Sequence, residues 1–142
     1  MRAGLLLGFA LVFGLGCGSG KFAPVSGTVT MNGKPLAGAL VIFSPIAKEG
    51  SIDAGPGSSG KTNDKGEYTL TSDTGRTGAL VGKHRVSISL MNQGTGESES
   101  DDRRRPGQLV NQVPVKYNGK TELTYKVPAG GTDKADVPLK SP

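Results

Sequence analysis

Apolar and polar residues alternate with a period of two along much of the chain after residue 24, the spacing of a strand with one face buried. From Val25 to Met31, the residues Val25, Gly27, Val29 and Met31 fall on one side and Ser26, Thr28 and Thr30 on the other, which predicts a half-buried strand. Asn32-Gly33 follows, a pair suited to positive φ that predicts a tight hairpin turn, with residues 34–38 extending the connection. Ala39-Leu40-Val41-Ile42-Phe43 is apolar throughout and predicts a central strand buried on both sides or near an edge of the core. Pro45 to Lys61, rich in Gly, Ser and Pro, predicts a surface loop.

The run from Lys61 to Leu70 puts a turn signal, Asn63-Asp64-Lys65-Gly66, between two short strands, with Tyr68 and Leu70 inward. A hairpin is expected there. Gly82 to Leu90 alternates again, Val86, Ile88 and Leu90 inward and Arg85, Ser87 and Ser89 outward. From Asn92 to about Val113 apolar residues nearly vanish, and a mobile loop is expected whose acids Glu97, Glu99, Asp101 and Asp102 nearly cancel Arg103, Arg104 and Arg105. Two further strands carry Leu123, Tyr125 and Val127, then Ala135, Val137 and Leu139. About seven strands joined without helices predict an all-β, Greek-key β-sandwich.

The first twenty residues break this pattern. Met1-Arg2 is basic, Leu5 to Leu15 is apolar except for Gly8 and Gly14, and Gly16-Cys17-Gly18-Ser19-Gly20 is small and flexible. A basic start, an apolar stretch of about 7–15 residues and small residues at the end are the parts of a secretory signal. The stretch is shorter than the roughly 20 apolar residues a membrane-spanning helix needs. Cys17 with Gly16 before it resembles a bacterial lipobox, in which the thiol takes a diacylglycerol and the chain is cut just before the cysteine. Leu15 and Gly14 stand where that motif more often has a small residue and a leucine. This reading gives a lipoprotein signal peptide over residues 1–16, an acylated Cys17 at the head of a flexible tether over residues 17–23, and one domain over residues 24–140. The other reading is an ordinary signal peptide cut nearby, with Cys17 incidental.

Charge and composition narrow the functions available. The formal net charge of +5 falls slightly when the signal removes Arg2, a mild excess unlike a dedicated nucleic-acid binder. Cys17 is the only cysteine, so the domain has no disulfide, zinc thiolate site or cysteine nucleophile. His84 is the only histidine; on strand parity it shares the face of Val86, where a packed or rim residue is the plain reading. Triad chemistry lacks a base unless His84 meets a serine and a carboxylate, and no nucleophile-elbow sequence accompanies it. Asn63 to Glu67 has some look of a calcium loop, but Lys61 and Lys65 intrude, and a turn in which Asp64 bonds its own backbone is the better account. No catalytic residue, metal or cofactor is expected.

Val25-Ser26-Gly27-Thr28-Val29, the turn Asn32-Gly33-Lys34-Pro35-Leu36, Gly38-Ala39 and Val41-Ile42-Phe43 resemble the opening of carboxypeptidase regulatory-like domains. Thr62 to Leu70 is similar to that family's glycine-turn-aromatic hairpin, Gly82 to Val86 to its glycine-led strand, and Val113 to Asn118 with Leu123 to Leu139 to the tail of lipid-anchored bacterial members. The likeness covers about residues 24 to 140 and implies a transthyretin-like (prealbumin-like) fold, with Gly33 and Gly66 supplying positive φ and Tyr68 filling the space between sheets, its hydroxyl at the rim. His84 stands where an aromatic is common in the family. The several histidines of the urate-pathway hydrolase that shares this fold have no counterpart.

Two functions follow from these expectations. One is a non-catalytic, lipid-anchored envelope module, tethered to a membrane through Cys17, whose loops or edges contact envelope proteins or polymers. The other is a binding module for a small molecule or carbohydrate at the loops of one end, for which a concave pocket lined by Tyr117 or His84 would be the sign. Gly18 after the cysteine is not acidic, which favours the outer membrane in a cell that has two.

Overall fold

A computed structural model of the chain describes residues 21–93 and 109–142, and alternation governs its architecture. Strand β1 (Phe22–Ala23) leads into β2 (Ser26–Met31), along which Val25, Gly27 and Val29 are buried and the residues between them half-exposed. Asn32 (φ 52°) and Gly33 (φ 81°) then form a two-residue turn whose positive dihedrals suit the twist of a hairpin. The turn returns the chain at once as β3 (Lys34–Pro35), paired with Thr30 and Met31, so the expected connection begins as a short strand. The chain continues through β4 (Leu40–Pro45), β5 (Ser58–Lys61), β6 (Glu67–Thr69), β7 (Thr71–Ser72), β8 (Ala79–Leu80), β9 (Gly82–Ser89), β10 (Met91–Gln93), β11 (Leu109–Asn111), β12 (Thr124–Val127) and β13 (Val137–Leu139), with a single turn of 3-10 helix at Val115–Tyr117.

These segments form an antiparallel sheet of order β12-β9-β4-β5-β7 and a smaller sheet in which β2 lies between β13 and the pair β3 and β6; two ribbons, β1-β8 and β10-β11, complete them. Among the named strands only β13 and β2 run parallel. Val25, Val29, Val137 and Leu139 from the smaller sheet meet Val41, Phe43, Val86 and Ile88 from the larger in one apolar cluster. The protein is all-β, with the packing of a β-sandwich.

The sheets account for several departures from the sequence reading. β4 is central in its sheet, yet Leu40 is 40 % exposed and Ile42 half-buried, because only one face of that sheet meets the core. Ser58–Lys61 is a strand rather than the end of a loop. Its small residues serve a crossing, since a side-chain carbon on Gly60 would collide with the carbonyl oxygen of Thr69. That crossing is made by residues 67–72: β6 pairs with β2 and β7 with β5, so the alternation of Tyr68, Leu70 and Ser72 passes from one sheet to the other at the fully buried Leu70. The expected hairpin over Lys61–Leu70 keeps its turn, closed by Asn63 N–H to Glu67 O at 2.9 Å, but its arms belong to different sheets.

Within that turn the side-chain bonds come from Asn63 rather than Asp64. Asn63 Oδ1, at the first position of the turn, accepts from the N–H groups of both Lys65 (2.9 Å) and Glu67 (3.0 Å). The Tyr68 hydroxyl is not at a rim: it is buried and donates to Ala135 O at 2.5 Å. Loss of water, with lesser pushes from Tyr125 and Asp136, raises its pKa above the usual tyrosine range. Thr62, buried in the same region, accepts from Ala39 N–H at 2.8 Å and donates to Leu36 O at 2.6 Å.

The segment from Asn92 to Val113 begins and ends as the β10-β11 ribbon, with Met91 opposite Asn111. Its charged residues Glu97, Glu99, Asp101, Asp102, Arg103, Arg104 and Arg105 lie outside the described residues, as do the expected signal, Gly16 and Cys17. β4 sets the two ends of the molecule. At one end Leu40 pairs with Ser89 and Lys61; at the other Pro45 pairs with His84, and there loop 46–57, the β1-β8 ribbon and the Gly82–Val127 pair gather.

Candidate functional site

Parity with Val86 and Ile88 turns His84 to the inner face of β9, where it is 1 % exposed. Its strand partners are Tyr125 on β12 and Pro45 on β4. The ring tilts against Phe43, centroids 5.7 Å apart at 46°, and Phe43 tilts in turn against Tyr125 at 5.8 Å and 54°. Nδ1 lies 3.1 Å from Gly82 O. A carbonyl oxygen only accepts, so the proton is assigned to Nδ1 and Nε2 is left as a bare acceptor. Nε2 is buried without a hydrogen-bond partner. Burial lowers the pKa of the ring below its ordinary 6.5, against a smaller opposing effect of the Gly82 bond, and holds the imidazole neutral at pH 7. A buried acceptor left open in this way is uncommon outside sites that receive a ligand or water.

His84 lines a cavity of about 500 Å³ at the Pro45 end of the sandwich, within the roughly 300–1,000 Å³ of small-molecule sites. Pro45, Ile46, Leu80 and Val81 supply apolar wall, and Lys48, Lys83 and Lys126 supply positive charge. Lys83 and Lys126 are direct cross-strand partners, a placement of like charges that disfavours the pair unless an anion lies near. Asp53 is the one carboxylate of the lining, and it is engaged by Gly55 N–H at 2.9 Å. Gly55 (φ 84°) closes the loop over Leu80, whose Cδ1 lies 2.6 Å from where a side-chain carbon would stand.

Other candidates are dispersed. Ser58 Oγ is the second buried polar atom without a partner among the described residues, but β4 lies between its strand and that of His84. Two strand spacings set them about 10 Å apart, too far for a nucleophile and its base. Tyr117 borders a different hollow of about 420 Å³ with Lys116, Lys120, Glu122 and Leu123, and its hydroxyl accepts from Lys140 N–H at 3.1 Å. Tyr117 and His84 are thus not brought together. Among the described residues no three His, Cys, Asp or Glu side chains gather as a metal site, and no helix is long and apolar enough to cross a membrane. Parity alone brought His84 to the inner face, whereas the open Nε2 and the Lys83–Lys126 pair needed the register between β9 and β12.

No family model, curated protein or solved structure matches the chain. The chemistry of the His84 cavity therefore stands on its own geometry.

Proposed function

We propose that the chain is a non-catalytic, lipid-anchored envelope protein whose sandwich holds a small molecule in the His84 cavity. The observation that carries the ligand reading is the cavity of about 500 Å³ itself, where the apolar wall of Pro45, Ile46, Leu80 and Val81 stands beside Lys48, Lys83 and Lys126. A small molecule with an apolar body and an anionic group suits that lining. Anchoring rests on the basic start, the short apolar run and Cys17, and a Greek-key, transthyretin-like topology of the carboxypeptidase regulatory-like kind is in keeping with the motifs at residues 24 to 140 and with two packed β-sheets. Catalysis is not part of the reading, because His84 is paired with neither a nucleophile nor a carboxylate.

Because the chain has one histidine, its ring signals report on the site alone. Small molecules are screened against the full-length protein in detergent by those signals and by Tm. A saturable shift of both supports the reading; a screen that moves neither refutes it. Intact mass of membrane-extracted protein, beside Cys17→Ser, tests the anchor.

A second reading, a protein-interaction module, is favoured by the outer face of the larger sheet. There Leu40 and Ile42 stand partly exposed, across from small Ser59, Ser87 and Ser89. Leu40→Lys would weaken capture of an envelope partner by crosslinking and leave ligand binding at His84 intact.

A further inference from the structure

The mouth of the His84 cavity lies beside the point where the tether enters the fold. Val81, part of its wall, donates its N–H to Lys21 O at 2.8 Å, and Phe22 and Ala23 pair with Leu80 and Ala79. Lys21 is the fourth residue after Cys17, at most about 14 Å of extended chain away. An acylated Cys17 keeps this end of the sandwich against the bilayer.

The side chains at this end suit that neighbour. Ile52, in loop 46–57, is 106 % exposed and Ile46 is 39 % exposed. Lys48, Lys83 and Lys126 line the cavity with Ile46 and are exposed, and Ile52 stands in the chain between Ser51 and Asp53 of the same lining, with Lys21 at the foot of the tether. Glu49, Asp53 and Asp73 oppose this charge; Asp53 is bonded to Gly55, and Arg76, lying 5.2 Å over the Phe22 ring, adds a further cation. Exposed isoleucines on a loop beside three lysines match the layering of a bilayer surface, acyl chains below and phosphate above. An anion between Lys83 and Lys126 also relieves the repulsion of that facing pair.

The geometry points to a membrane-docking surface: the loop 46–57 end of the sandwich rests on an anionic phospholipid surface, Ile52 entering the interface while Lys48, Lys83 and Lys126 meet lipid phosphates. This rests on the anchoring of Cys17 and deepens the cavity reading, since the cavity then opens at headgroup level.

The test uses full-length protein, its acylation checked by intact mass, reconstituted into vesicles of phosphatidylglycerol with phosphatidylethanolamine or of phosphatidylcholine alone. Acylation blocks the Cys17 sulfur, so Ile52→Cys and, at the far end, Asp64→Cys each offer one free thiol for a spin label. On anionic vesicles the label at 52 loses access to an aqueous paramagnetic relaxant and gains access to oxygen, while the label at 64 stays in water. On phosphatidylcholine both stay in water. Replacing Lys48, Lys83 and Lys126 together by Gln lowers the docked-to-undocked ratio about a hundredfold, at about fivefold per lysine. Equal aqueous access at 52 and 64 on anionic vesicles overturns the proposal, as does docking indifferent to lipid charge or to the lysines, which would leave apolar insertion or the tether alone to hold this end at the bilayer. A mass without acyl groups overturns the anchoring and the docking together. His84 ring signals in detergent report the cavity independently, so its ligand reading stands or falls separately.

Discussion

Acidification should destabilise the protein through His84 alone. In the fold, burial holds the ring neutral, while the unfolded chain exposes a histidine with its ordinary pKa of 6.5. Below that value the unfolded state takes up a proton that the folded state refuses. The stabilisation is therefore complete above pH 6.5 and is lost as pH falls toward the depressed folded pKa, below which the loss stops growing. One proton sets the steepest slope possible at about 1.4 kcal/mol per pH unit, to be read against the ~5–15 kcal/mol typical of a domain. The chain has one histidine and ordinary carboxylates titrate at about 4, so the span from about pH 7 to 5 isolates this group. Urea melts of the full-length protein in detergent across that span should show the midpoint falling at constant m-value. His84→Phe keeps a ring beside Phe43 and removes the proton, and its stability should be flat over the same range. A wild-type profile that is flat, or a variant with the same slope as wild type, refutes the reasoning.

Gly60→Ala forces a methyl group into the Thr69 carbonyl and should cost about 3 kcal/mol in a urea melt, the upper range for overpacking. Thr62→Val keeps shape but strips partners from Ala39 N–H and Leu36 O; a loss of about 2–3 kcal/mol is expected, and a neutral result would show that water replaces the hydroxyl. Tyr68→Phe leaves Ala135 O without its hydroxyl donor and should lower stability by about 1–3 kcal/mol with no change in m-value. Gly55→Ala, at φ 84° and against Leu80, should cost about 1–2 kcal/mol and shift the His84 ring signals, because the loop it closes forms one side of the cavity.

Local chemistry was legible and meetings between distant segments were not. Val25 to Met31 and Gly82 to Ser89 became strands with the faces their alternation dictates, and Asn32-Gly33 became the tight turn its residue types favour. Alternation is blind to which neighbour a strand takes. Tyr68 and Leu70 read as one inward face, and nothing local marks Leu70 as the point where the chain changes sheets. Ser58 to Lys61 misled for a related reason. Glycine and serine there answer to the close approach of Thr69, a contact invisible to composition. The candidate site divides in the same way: parity turned His84 inward, but its cavity is made by Pro45, Leu80, Gly82 and Lys126 arriving from three places in the chain.

The parallel pairing of β2 with β13 joins residues 29–31 to residues 137–139, and the Asp136 carboxylate accepts from Thr28 N–H across 108 positions of sequence. Contacts of such separation raise contact order and slow folding. More particularly, one edge of β2 stays unpaired and the Tyr68 hydroxyl has no acceptor until residues 135–139 have been synthesised. A nascent chain lacking them cannot close its core, and loss of only the final strand should leave it as open to proteolysis as a far larger truncation. The order of synthesis thus makes closure of the core wait on β13, more than a hundred residues after β2 has been made.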